Sequence, residues 1–347
     1  MNNKKNIVFV VNPISGTSGK RTIVNQIDKY IDNSIFDFKI VYTEYKGHAS
    51  DIAALAAKKG VDIVCAIGGD GTVNEVASAL IHTDTALAII PCGSGNGLAR
   101  HLRIPGDAIR AIKTINSCKP IKIDYGIVND HPFFCTCGVG LDAFVSQKFA
   151  ECGKRGFLSY IEQVLKHALK YNPESYVLDV VNEESSHVEY KAALIACANA
   201  SQYGNNVYIA PGASVLDGLL DVIIVEPYKM LDATQMGIQI MNGTLHKNKH
   251  IKRFKCKCIT IKRKEHGPIH YDGDPMTTGD VIKVEIVPRG LKVICSGKEG
   301  IRKIGDSLQN TVKMYFNNIY MKSGQFLTDS SNKGKQILGI KNEKNNE

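Results

Sequence analysis

The sequence lacks several features that would place it in a specialised class. No part of its 347 residues approaches the roughly 18 consecutive apolar residues of a membrane-spanning helix. The apolar stretch at residues 7–11 is too short for the core of a signal peptide. The ten cysteines include no CxxC spacing, so zinc is not indicated, and we expect reduced thiols in a cytoplasmic protein. Nor is any internal repeat visible; the length favours two ordinary globular domains.

The positive charge is unevenly distributed. The formal net charge is +9, and most of the excess lies in residues 247–264 and after about residue 310. Basic and apolar residues alternate from Phe254 to Ile261, which predicts a half-buried strand with outward lysines. A solvated strand face and an anionic membrane surface both fit this pattern. No nucleic-acid partner is expected, because no RNP, helix-turn-helix or zinc-finger pattern accompanies the charge.

Strand-like runs alternate with helical patterns in the first part of the chain. This alternation predicts an α/β domain with a parallel sheet. We expect strands at 6–12, 38–43, 61–69 and in the first part of 87–96, and helices at 20–31, 48–60, 72–81 and up to about 104.

Short strand patterns with Gly/Pro turns dominate after about residue 120. They begin with a hairpin at Asn129-Asp130, and helices are predicted only at 155–171 and about 229–243. This pattern predicts a mostly antiparallel β-sandwich. We therefore expect an α/β domain at 1–125, a β-rich domain at 126–300 whose end packs back on the first, and a partly disordered extension at 301–347.

Three Gly-rich loops each follow a predicted strand and precede a predicted helix. Residues 12–20 (NPISGTSGK) do not have the Walker A spacing, so an anion site and a plain β–α turn remain equally open there. In GGDGTVNE at 68–75, Thr72 is placed to cap the helix, and Asp70 indicates a divalent cation or proton chemistry. With PCGSGNG at 91–97, the three loops predict a phosphate-bearing ligand at the carboxyl edge of the sheet.

Two acidic turns lie in the β-rich part. Asp272 and Asp274 flank a glycine in YDGDP, and Asp217 and Asp221 lie in DGLLDV. Taken alone, both segments are typical of ordinary turns between strands.

The combined motifs NPISG, GGDGTVNEV, PCGSGNGLAR, DGLLDV and YDGDP resemble the diacylglycerol-kinase catalytic family, which includes bacterial lipid kinases and sphingosine and ceramide kinases. The resemblance spans about residues 5–300 and implies two domains with ATP in the cleft between them. It implies a proton acceptor at Asp272, with Asp70 as the rival, and Asp124 in a charged network. It also implies Mg²⁺ held by Asp217 with the carbonyl groups of Ser214 and Leu219. The implied nucleotide site comprises Asn12, Ser15, Gly16, Thr43, Gly68, Gly69, Asp70, Gly71, Thr72, Val73, Asn74 and Ser94.

Two departures from the family pattern bear on the substrate. The DGE motif reads DGD here, so Asp274 is one methylene shorter than glutamate. The third loop reads GSGNGLA, closer to sphingosine kinases than to many bacterial diacylglycerol kinases. The resemblance implies phosphoryl transfer from ATP to a lipid hydroxyl, of diacylglycerol or a sphingoid base, at a membrane surface. A kinase for a soluble acceptor such as NAD and a non-catalytic nucleotide or lipid sensor are the alternatives. The oligomeric state, a homodimer included, stays open. We predict that Asp272→Asn folds normally but loses most activity.

Overall fold

The first part of the chain forms a parallel sheet with helices. The computed structural model describes residues 4–14, 20–117, 119–152, 167, 171–181 and 185–297. Its elements are β1 Lys5–Val11, α1 Lys20–Tyr30, β2 Phe36–Tyr42, α2 His48–Lys58, β3 Ile63–Gly68, α3 Asp70–Leu80, β4 Ala86–Pro91, α4 Gly97–His101 and α5 Ala108–Ser117. The strands run in the order β2-β1-β3-β4, and every residue of β3 and β4 is buried, as continuous apolar runs predict.

The second part is mainly antiparallel. Its elements are β5 Pro120–Val128, β6 His131–Phe133, β7 Thr136–Gly140, α6 Leu141–Glu151, β8 Glu174–Val181, β9 Ser185–Ala192, β10 Leu194–Ala198, β11 Leu220–Val225, α7 Met230–Met241, a 3₁₀ turn Leu245–Lys247, β12 Ile251–Cys256, β13 Cys258–Arg263, β14 Gly267–Tyr271, β15 Asp274–Thr278 and β16 Val281–Ile294. Six of these strands form one sheet in the order β12-β11-β10-β7-β14-β15.

The long strand β16 joins the two parts. It pairs with β4 in parallel at Val293 and Leu87, and antiparallel with β5 and β13. The resulting ten-stranded sheet includes β2-β1-β3-β4-β16-β13-β8-β9, with β5 and β6 attached through β16. Its antiparallel end packs against the six-stranded sheet, and buried residues such as Leu178 and Val222 fill the space between them. The expected α/β domain followed by an antiparallel sandwich is confirmed.

Some local predictions are wrong. The alternation across 254–261 does not form one strand, because the chain leaves the six-stranded sheet at Cys256 and enters the ten-stranded sheet at Cys258. The segment LDA, predicted as strand, begins helix α6. Helix α5 was not predicted. The predicted boundary between the two domains, at residues 125 and 126, falls inside β5 and stays a prediction. Most of the predicted helix at 155–171 and the extension at 301–347 lie outside the described residues.

Candidate active site

The second and third Gly-rich loops lie side by side. Strands β3 and β4 are parallel neighbours, and Gly68 is paired with Pro91 where they end. A Cβ on Gly93 would lie 2.6 Å from the Cα of Gly69, and one on Gly95 would lie 2.5 Å from a carboxylate oxygen of Asp70. The contact between the loops therefore requires these two glycines, since any side chain there would push the loops apart.

Asp70 connects these two loops. It is the first residue of α3, and its oxygens accept hydrogen bonds from the backbone N–H groups of Asn96 (2.8 Å) and Gly97 (2.6 Å). A carboxylate at the N-terminal ends of two helices interacts favourably with both helix dipoles. Burial raises the pKa of Asp70; the two N–H groups oppose this shift, and the negative charge of Asp272 adds to it. The two predicted catalytic acids therefore interact electrostatically.

Asp272 accepts four hydrogen bonds. One oxygen accepts from the Asn74 side chain (2.9 Å) and the Phe134 N–H (2.8 Å). The other accepts from the N–H groups of Cys135 (2.8 Å) and Thr136 (3.1 Å). An ionised carboxylate offers about four lone-pair sites, and all are occupied here. Burial nevertheless raises the pKa of Asp272, although these four donors oppose the shift.

The predicted nucleotide-site residues fall into two groups. Asn12 donates to the Thr72 hydroxyl at 3.1 Å and accepts from the Ile14 N–H at 3.0 Å, so it links the ends of β1 and α3. Thr72 does not cap α3 as predicted, because Gly69 occupies the cap position and Thr72 lies buried in the first turn. The N–H of Thr43 donates to Val11, and Gly68 ends β3. Ser15 and Gly16 lie outside the described residues.

The second group lines a cavity of about 540 Å³. The two loops contribute lining residues that include Asp70 and Ser94, and the β-rich part contributes Phe134 and Tyr203. Asp272 also lines this cavity, so both predicted catalytic acids border one space. The predicted residues that line the cavity are Gly69, Asp70, Gly71, Val73, Asn74, Ser94 and Asp272.

Asp274 is a further acid at this cavity. It begins β15, is exposed, and lines the cavity beside Asp272 and Gly273. Within the described part of the chain, no group of three His, Cys, Asp or Glu side chains could hold a metal ion. A metal at this site would therefore need oxygen ligands from a substrate as well as from protein.

The predicted magnesium residues lie elsewhere. One Asp217 oxygen accepts from the Leu219 N–H (3.1 Å), and the other lies 2.7 Å from the Lys255 ammonium. The Ser214 hydroxyl accepts from the Leu216 N–H at 3.2 Å. None of the three predicted ligands lines the cavity.

Asp124 holds this turn to the ten-stranded sheet. It is buried on β5, and its two oxygens accept from the N–H groups of Gly218 and Arg289, both at 2.7 Å. Its own N–H donates to Val215. The contacts described for the Asp124 carboxylate are thus with backbone groups rather than with charged side chains.

Sequence reasoning missed a buried polar cluster at the cavity. One oxygen of Asp142 accepts from the Tyr203 hydroxyl (3.0 Å) and lies 3.1 Å from a His270 ring nitrogen. Asp142 and His270 are both buried, and Tyr203 and His270 line the cavity. The signal available in the sequence was Asp142, which follows the glycines of GVGLDA. That segment, however, resembled the end of a strand.

Glu75 was also missed as a structural residue. Its two oxygens accept from the N–H groups of Gly47 (3.1 Å) and Ala49 (3.2 Å). Glu75 therefore supplies from α3 the acceptors that the N-terminus of α2 lacks within its own segment. This fixes the loop after Thr43 relative to the second Gly-rich loop.

Comparison with known proteins agrees with this architecture. Residues 6–128 match the model of the diacylglycerol kinase catalytic domain, and residues 135–295 match that of the YegS C-terminal NAD kinase beta sandwich-like domain. The chain is 29% identical to a protein named probable lipid kinase YegS from Escherichia coli O17:K52:H18, with 71% of this chain and 82% of that protein covered. It is 26% identical to a probable lipid kinase YegS-like protein from Enterobacter sp. strain 638, with coverages of 79% and 91%.

Solved structures show the same fold. A crystal structure described as a diacylglycerol kinase from Bacillus anthracis matches with a TM-score of 0.63 and 20% identity, over 84% of this chain and 97% of that chain. A second B. anthracis structure matches with a TM-score of 0.68 and 24% identity, over 84% and 98%. Among the residues described, no helix is long and apolar enough to cross a bilayer. Since the two domain models match consecutive parts of one chain in the order the motifs predict, the protein belongs to the diacylglycerol kinase catalytic domain family and carries a YegS-type C-terminal domain.

Proposed function

We propose that this protein is an ATP-dependent lipid kinase that transfers the γ-phosphoryl group of ATP to a lipid hydroxyl. The observation that carries this proposal is one cavity that is lined by two Gly-rich loops, by aromatic and apolar side chains of the β-rich part, and by two acids whose pKa values are raised. Phosphoryl transfer depends mainly on positioning and charge neutralisation, and such a cavity offers both.

The nucleotide binds against the loops in this proposal. The exposed Gly71 and Ser94 face the cavity at the start of α3 and before α4. Backbone N–H groups at a helix N-terminus attract phosphate oxygens. Asp70 already accepts the first N–H groups of α4, so phosphate contacts fall to the remaining loop amides.

Mg²⁺ enters with the nucleotide in this proposal. Mg²⁺ commonly uses one or two carboxylates together with substrate phosphates and water, so the absence of a three-residue cluster among the described residues fits this mode. Asp274 is exposed at the cavity, and Asp70 has one N–H donor on each oxygen. These two residues would hold the ion, which supplies charge neutralisation at the phosphates.

The acid that accepts the proton is Asp272 or Asp70. The occupied lone pairs of Asp272 mean that it must release one N–H donor before it can accept a proton from an acceptor hydroxyl. The Asp70 carboxylate accepts one hydrogen bond from Asn96 and one from Gly97, so it has fewer described donors than Asp272. General-base catalysis of this kind contributes about 10²–10⁴-fold to a rate.

The test is transfer of label from γ-labelled ATP with Mg²⁺ to diacylglycerol, sphinganine, ceramide or NAD. Asp70→Asn and Asp274→Asn are compared with Asp28→Asn, an exposed acid on α1 outside the cavity. We expect a labelled lipid product that falls at least about 100-fold in Asp70→Asn and is unchanged in Asp28→Asn. Labelled NADP would favour the soluble-acceptor alternative, and ATP binding without transfer to any acceptor would favour the sensor.

Peripheral attachment to an anionic membrane is part of the proposal. Within the basic segment, Lys252, Lys255 and Lys262 have acidic partners, and Arg263 is buried against backbone carbonyls. The segment thus presents less free charge than its composition indicates, and attraction to the bilayer should be modest. Co-sedimentation with anionic vesicles should fall as salt rises; binding insensitive to salt would contradict an electrostatic contribution.

A further inference from the structure

Lys255 lies where the family resemblance implies a divalent cation. It is on β12, directly opposite Asp221 on β11 in the antiparallel register. Its ammonium lies 2.8 Å from Asp221 and 2.7 Å from Asp217, which precedes β11. The side chains of Asp217 and Asp221 are 32% and 12% exposed, so the two negative charges lie close together and partly out of water.

The residues of this turn do not fit a bound Mg²⁺. Asp217 is the only carboxylate in the implied ligand set, and the Lys255 ammonium already contacts one of its oxygens. Its other oxygen accepts the N–H of Leu219. Mg²⁺ requires near-octahedral oxygen ligands at about 2.0–2.1 Å, and a divalent ion against the same carboxylate would be repelled by the ammonium.

We propose that Lys255 is a built-in counter-cation that replaces the divalent cation at the Asp217 turn. A lysine ammonium has three donors and can serve two carboxylates at once. The same turn is joined to the ten-stranded sheet by the Gly218 N–H, which donates to Asp124 at 2.7 Å. Neutralising Asp217 and Asp221 with a side chain therefore fixes this junction without metal.

Lys255 would have this role whether or not the protein is a kinase. Any dependence on a divalent cation then belongs to a site other than this turn. Lys255 also contributes little positive charge to the basic surface, because its ammonium forms ion pairs with two acids of the same domain.

The first test measures Mn²⁺ binding to the full nucleotide-free chain by electron paramagnetic resonance. Wild-type protein and Asp217→Asn should bind the same number of Mn²⁺ ions, because Lys255 excludes metal from the turn. An ion bound by the wild type and lost in Asp217→Asn would overturn the proposal. This comparison holds whether or not any lysine variant folds.

The second test removes the ammonium. Lys255→Met keeps an apolar stem and leaves Asp217 and Asp221 uncompensated, so we expect its Tm to fall by roughly 5 °C. Lys255→Met should also gain a Mn²⁺ site, and the double variant with Asp217→Asn should lack that site. The matched control is Lys252→Met on the same strand, whose partner Glu226 is 3.9 Å away, and its Tm should barely change. A Lys255→Met variant with the Tm of this control, or without a new Mn²⁺ site, would overturn the proposal.

Discussion

Replacing Asp272 with asparagine should destabilise the protein, contrary to the expectation from sequence that this variant folds normally. The asparagine amide has one acceptor oxygen and one NH₂ group. In either orientation the NH₂ group faces two donors, which are Cys135 and Thr136 on one side or Phe134 and Asn74 on the other. Two hydrogen bonds to a carboxylate are therefore lost.

The size of the expected destabilisation follows from the strength of hydrogen bonds to a carboxylate. Hydrogen bonds to a charged group contribute about 1.5–3 kcal/mol each, so two lost bonds cost about 3–6 kcal/mol. Burial disfavours the Asp272 carboxylate, as its raised pKa shows, so a neutral side chain recovers part of this loss. We expect a net loss of about 2–4 kcal/mol in the free energy of unfolding at neutral pH. Asp70→Asn loses only one such bond, because each of its oxygens has one donor, and should be less destabilising.

The assay is urea unfolding of nucleotide-free wild type, Asp272→Asn, Asp70→Asn and the exposed control Asp28→Asn. The expected order of stability places Asp28→Asn with the wild type, Asp70→Asn below it and Asp272→Asn lowest. If Asp272→Asn is as stable as the wild type, the reasoning is refuted. In that case the hydrogen bonds to Asp272 would not prevent it from acting as a base in the wild-type protein. Activity should be compared only at temperatures where each variant is folded.

Three further perturbations test the same region. Gly95→Ala places a Cβ 2.5 Å from a carboxylate oxygen of Asp70 and should separate the second and third loops. We expect ATP affinity, measured by calorimetry, to fall about tenfold or more. Unchanged affinity would contradict the close approach of the two loops. Glu75→Ala removes the acceptors for the N-terminus of α2 and should lower the free energy of unfolding, measured by urea titration, by about 1–2 kcal/mol. An unchanged free energy of unfolding would contradict a capping role for Glu75. Because burial raises the pKa values of Asp70 and Asp272, the folded state holds their protons more tightly than the unfolded state. Their contribution to stability is therefore present at low pH and lost as the pH rises through the raised values; Asp70→Asn should show a smaller loss over that interval, and an equal loss would exclude Asp70 as a source.

The parallel sheet and the loops at its edge could be predicted because their signals are local. Strands β3 and β4 are continuous apolar runs, and each is followed at once by glycines. Parallel neighbours place such loops together whatever the rest of the chain does. The sequence could not show that Asp70 would bind the amides of α4, because this depends on the close approach at Gly93 and Gly95.

Features that depend on distant partners escaped prediction. The alternation across 254–261 is continuous in sequence, yet the chain changes sheets at Lys257, so period-2 alternation reports burial but not sheet membership. Lys255 looked like part of a basic surface because its partners precede it by 34 and 38 residues in sequence, the latter being Asp217. The donors to Asp272 include backbone groups more than 130 residues earlier.

Both acids of the cavity determine its shape as well as its charge. Asp70 connects the second loop to α4, and Asp272 connects Asn74 of α3 to the segment that carries Phe134, which lines the cavity. If Asp272 takes up a proton, one oxygen becomes a donor and at least one of its N–H partners must be released. Proton uptake at Asp272 is therefore coupled to one of its contacts, either with Asn74 of α3 or with the backbone of residues 134–136, which also line the cavity.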